Sequence, residues 1–352
     1  MALSFSQLEN TVYQQIIAPR GNQITTFIQG RPGGGKSACT RALARRLAKE
    51  LNIAPQQIVE FNASLRDPVD IMGIPFKSED GSHSRWLPPE EFYNLRQGVG
   101  YCILILEELT DAPMAMQNPL CRVVLDRYAG NLKLSDKLII LATGNRVEDR
   151  SGANRMSTKL GNRMRVLDFQ ESVEDWVKWA RNEGEISEDV INFILYRPNL
   201  LSDFDPKRVI NPTPRAWESV SRVPTFTEDP NGALYFQHVA GHVGEGPAHE
   251  FCGFRKIWHE LPDFTELLKS PKKYPIPTDM AVLYATVLKL ASMINENTDS
   301  KVVDSILTYM SRTKVELQAM AIRDMLTKPE ACSKVVQSTL FPTLAKGLNL
   351  GF

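Results

Sequence analysis

The 352-residue chain has no excess of either charge: 41 Lys and Arg stand against 41 Asp and Glu. That balance argues against a protein whose main task is to coat DNA or an anionic membrane, while leaving room for a local basic patch. Cysteine is scarce and scattered. Cys39, Cys102, Cys121, Cys252 and Cys332 are odd in number and contain no C-x-x-C pair. They suggest neither a disulfide framework nor a zinc site, and they point to a reducing compartment. No apolar run reaches membrane-spanning length, and the longest candidate, Met280–Ile294, is broken by Lys289. The opening MALSFSQLEN lacks the charged-then-apolar pattern of a secretory leader, so a cytoplasmic location and no membrane partner are expected. Internal repeats and low-complexity tracts are absent as well. The length suits two domains, with Pro-rich joints at 198–230 and 262–277.

What the chain does have is GRPGGGKS at 30–37. It fits G-x-x-x-x-G-K-[ST], with Gly30 and Gly35 as the fixed glycines. Glycines let a backbone curl with its N–H groups turned inward around a phosphate, and a following helix adds the positive end of its dipole. Ile24–Gln29 before the loop reads as a buried strand. Ala38–Leu51 after it sets Ala42, Leu43, Leu47 and Leu51 on one helical face. Strand, glycine loop and helix is the order the motif requires. The candidate nucleotide-binding residues are Gly30, Arg31, Pro32, Gly33, Gly34, Gly35, Lys36, Ser37 and Ala38. Lys36 is placed to reach the β- and γ-phosphates, and Ser37 to offer its hydroxyl to Mg²⁺. A plain Gly-rich surface turn is the bland alternative, and both flanks argue against it.

Residues 101–108 read YCILILEE, an apolar strand with two acids at its C-terminal end, which is where open α/β sheets bind ligands. In nucleotide hydrolases the first such acid supports Mg²⁺ through its waters and the second polarises the attacking water. Those roles fall to Glu107 and Glu108. The first acid is usually Asp, so Glu107 departs from the pattern by one methylene. The next strand, KLIILAT at 137–143, leads into Gly144 and Asn145. An Asn there can hydrogen-bond both the γ-phosphate and the attacking water, against the simpler reading of a turn Asn.

Together these residues resemble an AAA+ ATPase, and within that class the MoxR-like branch of bacteria and their phages. ATGN at 142–145 matches the family's sensor-1 strand, which makes Asn145 the sensor. The family's arginine finger follows in an L-x-x-R pattern, matched by Leu160-Gly161-Asn162-Arg163, with Arg155 as a second candidate. TPRA at 213–216 matches the sensor-2 motif of the lid and gives Arg215 that role. Residues 67–92 resemble the helix-2 insert, a hairpin beside a central pore, with Asp80-Gly81 as its turn and Trp86 as an apolar anchor. A second insert is expected at 127–136. The segments 243–254, 261–264 and 275–285 resemble the C-terminal region of the same branch.

The resemblance implies an α/β P-loop core over 1–171, with five parallel strands in the order 5-1-4-3-2. A helical lid and C-terminal extension follow over 172–352. It also implies ATP and Mg²⁺ as cofactors and a ring completed in trans, expected to be a hexamer. A partner carrying a von Willebrand factor A domain and a protein client are expected too. The alternatives are a DNA-stimulated motor or loader of the McrB-like kind, and a slow nucleotide-gated scaffold. Strands are expected near 24–29, 58–62, 101–106, 137–143 and 166–169. Helices are expected over 172–182, 187–196, 214–222, 233–241, 247–258, 279–295, 299–311 and 314–327. His238 and His242 are spaced for one helix face, but without H-E-x-x-H they read as surface histidines rather than zinc ligands. Cys39 at a helix start could be activated. Trp176 and Trp179 read as packing residues. Arg41, Arg45 and Arg46 form a short basic face, read as solvated or subunit-facing.

Overall fold

Apolar segments of five to eight residues, too short for helices of useful length and rich in Ile, Leu and Val, pair side by side in this chain. The structure, a computed structural model, describes residues 2–149, 156–225, 227, 229, 232–259, 261 and 264–347. Its strands are β1 (Thr25–Gly30), β2 (Ile58–Asn62), β3 (Ile74–Lys77), β4 (Ser84–Leu87), β5 (Cys102–Glu107), β6 (Tyr128–Ala129), β7 (Leu132–Lys133), β8 (Leu138–Asn145) and β9 (Met164–Asp168). Five of them form a parallel sheet in the order β2-β5-β8-β1-β9. Numbered among themselves and read from the far edge, that is 5-1-4-3-2, the order expected of the AAA+ class.

Alternation along the strands fills two cores, because successive side chains leave a strand on opposite faces. Phe27, Phe61, Leu104, Leu106 and Ile140 face the helix Met114–Asp126 through Met116, Leu120 and Val123. Ile28, Ile103, Ile105, Ile139 and Leu141 face Leu8 and Val12 of the helix Phe5–Ile17, and Leu43 and Leu47 of the helix Lys36–Leu51. Both faces are covered, as a parallel sheet requires.

The two segments expected to hold inserts, 67–92 and 127–136, each contain an antiparallel strand pair. β3 and β4 pair antiparallel with Pro75 opposite Trp86, and all eight of their residues are exposed. Their connection is wider than a two-residue Asp-Gly turn. Ser78 and His83 close it, and the Asp80 carboxylate accepts from the Ser78 hydroxyl and the Ser82 amide. These bonds pull the Asp80 pKa down to about 2, the Ser78 hydroxyl contributing most. β6 and β7 form the second hairpin.

The chain divides into two compact units, Met1–Trp176 with Leu201–Ala216, and Val177–Leu200 with Trp217–Phe352. The change falls at 176/177 rather than 171/172. Residues 201–216, Arg215 among them, group with the sheet rather than with the helices after it. The second unit is helical. Its core packs Phe193 against Trp217, Phe251 and Phe254, with ring centroids 5.2–5.7 Å apart. The buried Trp217 indole donates to the Leu200 carbonyl at 2.7 Å. Helices at Phe5–Ile17, Phe264–Lys269, Pro329–Gln337 and Phe341–Gly347 go beyond those expected. Among the described residues no helix is long and apolar enough to cross a membrane.

Candidate active site

Strand register decides which residues meet. Gly30 at the end of β1 lies beside Asn145 at the end of β8. Asn62 at the end of β2 lies beside Glu107 at the end of β5. The glycine loop, the acid pair and the candidate sensor therefore share the C-terminal edge of one sheet. Asn145 is the last residue of a strand and not a turn residue.

The loop between β1 and the helix Lys36–Leu51 uses two left-handed glycines, Gly33 at φ 73° and Gly35 at φ 103°. At Gly33 a Cβ would also lie 2.9 Å from Thr213 Oγ1, and at Gly34 it would lie 2.0 Å from Glu171 Oε1. Thr213 Oγ1 in turn accepts from the Ala216 amide at the start of the helix Pro214–Arg222. The loop is thus close-packed by segments far away in sequence. Ser37 is half-buried in the first helical turn and Ala38 is exposed.

Lys36 is only 8% exposed. Its Nζ donates to Gly30 O at 2.9 Å, to Arg31 O at 2.7 Å and to Asn145 Oδ1 at 2.9 Å. Asn145 is fixed from its other side. Its Nδ2 donates to Asp111 Oδ2 at 2.8 Å and its backbone N–H to Thr110 Oγ1 at 2.8 Å. Burial lowers the Lys36 pKa from 10.5 to about 8. Glu171, Asp149 and Asp111 oppose that shift and Arg215 adds to it. Burial in turn raises the pKa of Asp111, Asp149 and Glu171. Each of these three acids keeps one buried oxygen outside any hydrogen bond.

Glu108 sits past the end of β5 at φ 53°, a left-handed conformation that costs a non-glycine residue about 1–2 kcal/mol. Leu109 N–H, bonded to Thr143 O, and Asp111 N–H, bonded to Glu108 O, hold this bend. The Glu108 carboxylate accepts from the Ser64 hydroxyl at 2.6 Å and from Asn62 Nδ2 at 3.2 Å. Glu107 faces the helix Lys36–Leu51, where its Oε1 accepts from Arg41 Nη2 at 2.9 Å. Arg41 Nε also meets Glu60 at 2.9 Å. Arg41 is therefore engaged with two acids rather than simply solvated.

Arg163 is apart from this edge. It immediately precedes β9, whose Met164 pairs with Thr25 at the start of β1. The length of β1 separates it from the loop, roughly 16 Å at the usual rise per residue. Its Nη1 donates to Lys159 O in the preceding turn. Arg155 lies outside the described residues. Arg215 is exposed and close enough to Lys36 to act on it electrostatically. Among the described residues no His, Cys, Asp and Glu cluster has the form of a metal site, and that includes His238 and His242. Cys39 is buried, and burial pushes its thiol up to about 12, so the thiol is not activated.

Asn62, Ser64, Asp111, Asp149 and Glu171 escaped the sequence reading, and Thr213 entered it only as the first residue of TPRA. Asn62 alone carried a signal, as a polar residue ending a strand next to the acid-bearing one. The others reach the site through loops whose course only the fold sets.

No protein-family model matches the chain, and no curated protein matches it. Among solved structures it is similar to NtrX from Brucella abortus, at 16% identity over 99% of this chain and 68% of that one, with a TM-score of 0.39. NtrX in complex with ADP aligns at 15% identity over 97% and 69%, with a TM-score of 0.37. Domain III of the Thermotoga maritima replication initiation protein DnaA aligns at 16% identity over 70% and 90%, with a TM-score of 0.40. Likenesses this distant assign the chain no activity.

Proposed function

We propose that the chain is a Mg²⁺-dependent ATPase of the AAA+ class, in its MoxR-like branch, coupling ATP hydrolysis to the remodelling of a protein client. The observation that carries this reading is the shared edge. Lys36 bonds the Asn145 side chain directly, while the acid pair ends the strand next to Asn145's own. A γ-phosphate held by Lys36 and Asn145 would present its bond to water polarised by Glu108. Charge spreads over the transferred group in such reactions, so positioned cations and hydrogen-bond donors supply most of the acceleration. Asn62 and Ser64 set the orientation of Glu108.

The donors suit Mg²⁺. A serine hydroxyl and a carboxylate are hard oxygen ligands, and Glu107 is already placed to meet a cation. Ser37 would hold the ion directly and Glu107 through its waters, and the ion would supply neutralising charge to the phosphates. Arg163, a strand's length from its own loop, suits a role in a neighbour's site. A head-to-tail interface that closes makes a ring, with a hexamer expected. A partner with a von Willebrand factor A domain belongs to this proposal by analogy. A slow nucleotide-gated scaffold is the second reading, favoured by the ion pair that engages Glu107.

Steady-state ATP hydrolysis per subunit, measured across a wide range of protein concentration with Mg²⁺ and without DNA, tests the proposal. Specific activity should climb as subunits assemble, and Arg163→Ala should abolish the climb while leaving ATP binding intact. Flat, substantial activity would remove the ring. Turnover unchanged by Glu108→Gln would favour the scaffold.

A further inference from the structure

The ion pair on Glu107 is made by the longer acid that stands here in place of the usual Asp. Arg41 lies four residues after Ser37 on the helix Lys36–Leu51, so the two share a face. Both side chains of the candidate metal site thus have Arg41 as a neighbour, Ser37 one turn away and Glu107 in direct contact at 2.9 Å. The extra methylene of glutamate matters here, because an aspartate on the same backbone would hold its carboxylate about 1.5 Å further back. Glu60 holds the guanidinium from the other side, also at 2.9 Å. Glu107 is the enclosed member of the group, its side chain 14% exposed against 46% for Arg41.

Resting on the ATPase reading, we infer that Arg41 is a positioning residue that lowers the dependence of ATP binding on Mg²⁺. Its guanidinium supplies positive charge where a divalent cation otherwise would, and it competes with that cation for Glu107. A metal entering beside Ser37 must share the carboxylate with a fixed cation, and like charges at close range oppose each other. Arg41 also leaves the phosphates some neutralisation when no metal accompanies them. Both effects shrink the difference between ATP binding with and without Mg²⁺.

The experiment is ATP binding by titration calorimetry in Mg²⁺ and in EDTA, with the ratio of the two Kd values as the readout. Arg41→Gln keeps a polar side chain and removes the charge. It should raise the ratio of the EDTA value to the Mg²⁺ value about two- to fivefold over wild type, the range a half-exposed ion pair can deliver. Arg41→Lys keeps the charge and should stay within about twofold of wild type. Glu107→Asp, which withdraws the carboxylate from Arg41, ends the competition and should lower the Kd measured in Mg²⁺. Combined with Arg41→Gln it should then add less than the sum of the two. A ratio unchanged or lowered in Arg41→Gln overturns the inference. If wild type binds ATP, Lys36→Ala does not and the ratio is unmoved, only the role of Arg41 fails. If wild type binds ATP under neither condition, the nucleotide reading falls and takes this one with it.

Discussion

On the proposed ATPase reading, Lys36 would make ATP binding sensitive to pH in a range where most lysines do not titrate. Its ammonium is buried, and burial brings its pKa from 10.5 to about 8. Phosphate oxygens around the ammonium would favour the charged form and raise that value. The sign follows. Below about 8 the lysine already carries its proton and binding costs nothing extra. Above it, ATP must recruit a proton, so affinity falls as pH rises. For a free-site pKa near 8 and a much higher bound value, affinity drops about tenfold between about pH 7 and about pH 9. At about pH 8 each ATP should take up about half a proton. Calorimetry in two buffers of different ionisation heat measures that uptake directly. Asp111, Asp149 and Glu171 act on the same ammonium, and burial raises their own pKa values. An affinity flat through about pH 9, with heats independent of buffer at about pH 8, would refute the reasoning.

Three further outcomes follow from other contacts. Gly34→Ala should weaken ATP binding about five- to a hundredfold by driving Glu171 from its place, and Glu171→Ala should recover part of the loss. Gly33→Ala should not be rescued by that second change, because its φ of 73° and Thr213 are the obstacles. Asn62→Ala with Ser64→Ala should cut turnover about ten- to a hundredfold at unchanged ATP affinity, since both hold Glu108 and neither belongs to the loop. In the second unit, Asp324→Ala should cost about 1.5–3 kcal/mol in urea unfolding, the range for a lost hydrogen bond between charged groups. The Asp324 side chain is 2% exposed and meets Arg181 at 2.6 Å and Lys328 at 3.5 Å, while Arg181 keeps its second partner, Glu188, at 3.2 Å.

The sheet was legible chiefly through its central strands β5 and β8, whose burial on both faces requires near-continuous apolar runs, while the edge strands β2 and β9 carry Glu60 and Arg165 and gave a weaker signal. Boundaries moved by one or two residues, as at β8, where the ladder continues through Gly144 to Asn145. Helices with a strong apolar stripe, such as Ser300–Met310, were visible for the same reason. The short or terminal ones were not, since the six residues of Phe264–Lys269 give too little periodicity to read. At the site, Gly30, Lys36, Glu107, Glu108 and Asn145 were legible because each occupies a fixed place relative to a strand end. Glu171, Thr213 and Asp149 were not, because no local spacing ties them to the loop.

Asn62 and Ser64 share a physical role with Arg41. Every reactive side chain at the sheet edge is held by a protein partner of complementary character: Lys36 by Asn145 and two loop carbonyls, Glu107 by Arg41, Glu108 by Asn62 and Ser64. A buried or half-buried charge left alone would cost several kcal/mol, so the fold has to supply these partners whatever the site goes on to bind. A nucleotide arriving at this edge therefore exchanges partners rather than neutralising bare charges. Its affinity reflects the difference between two satisfied arrangements. Removing a partner then acts on binding and turnover without touching the substrate. That is why the most informative substitutions here, at Arg41, Asn62, Ser64 and Glu171, lie just outside the motif that announces the site.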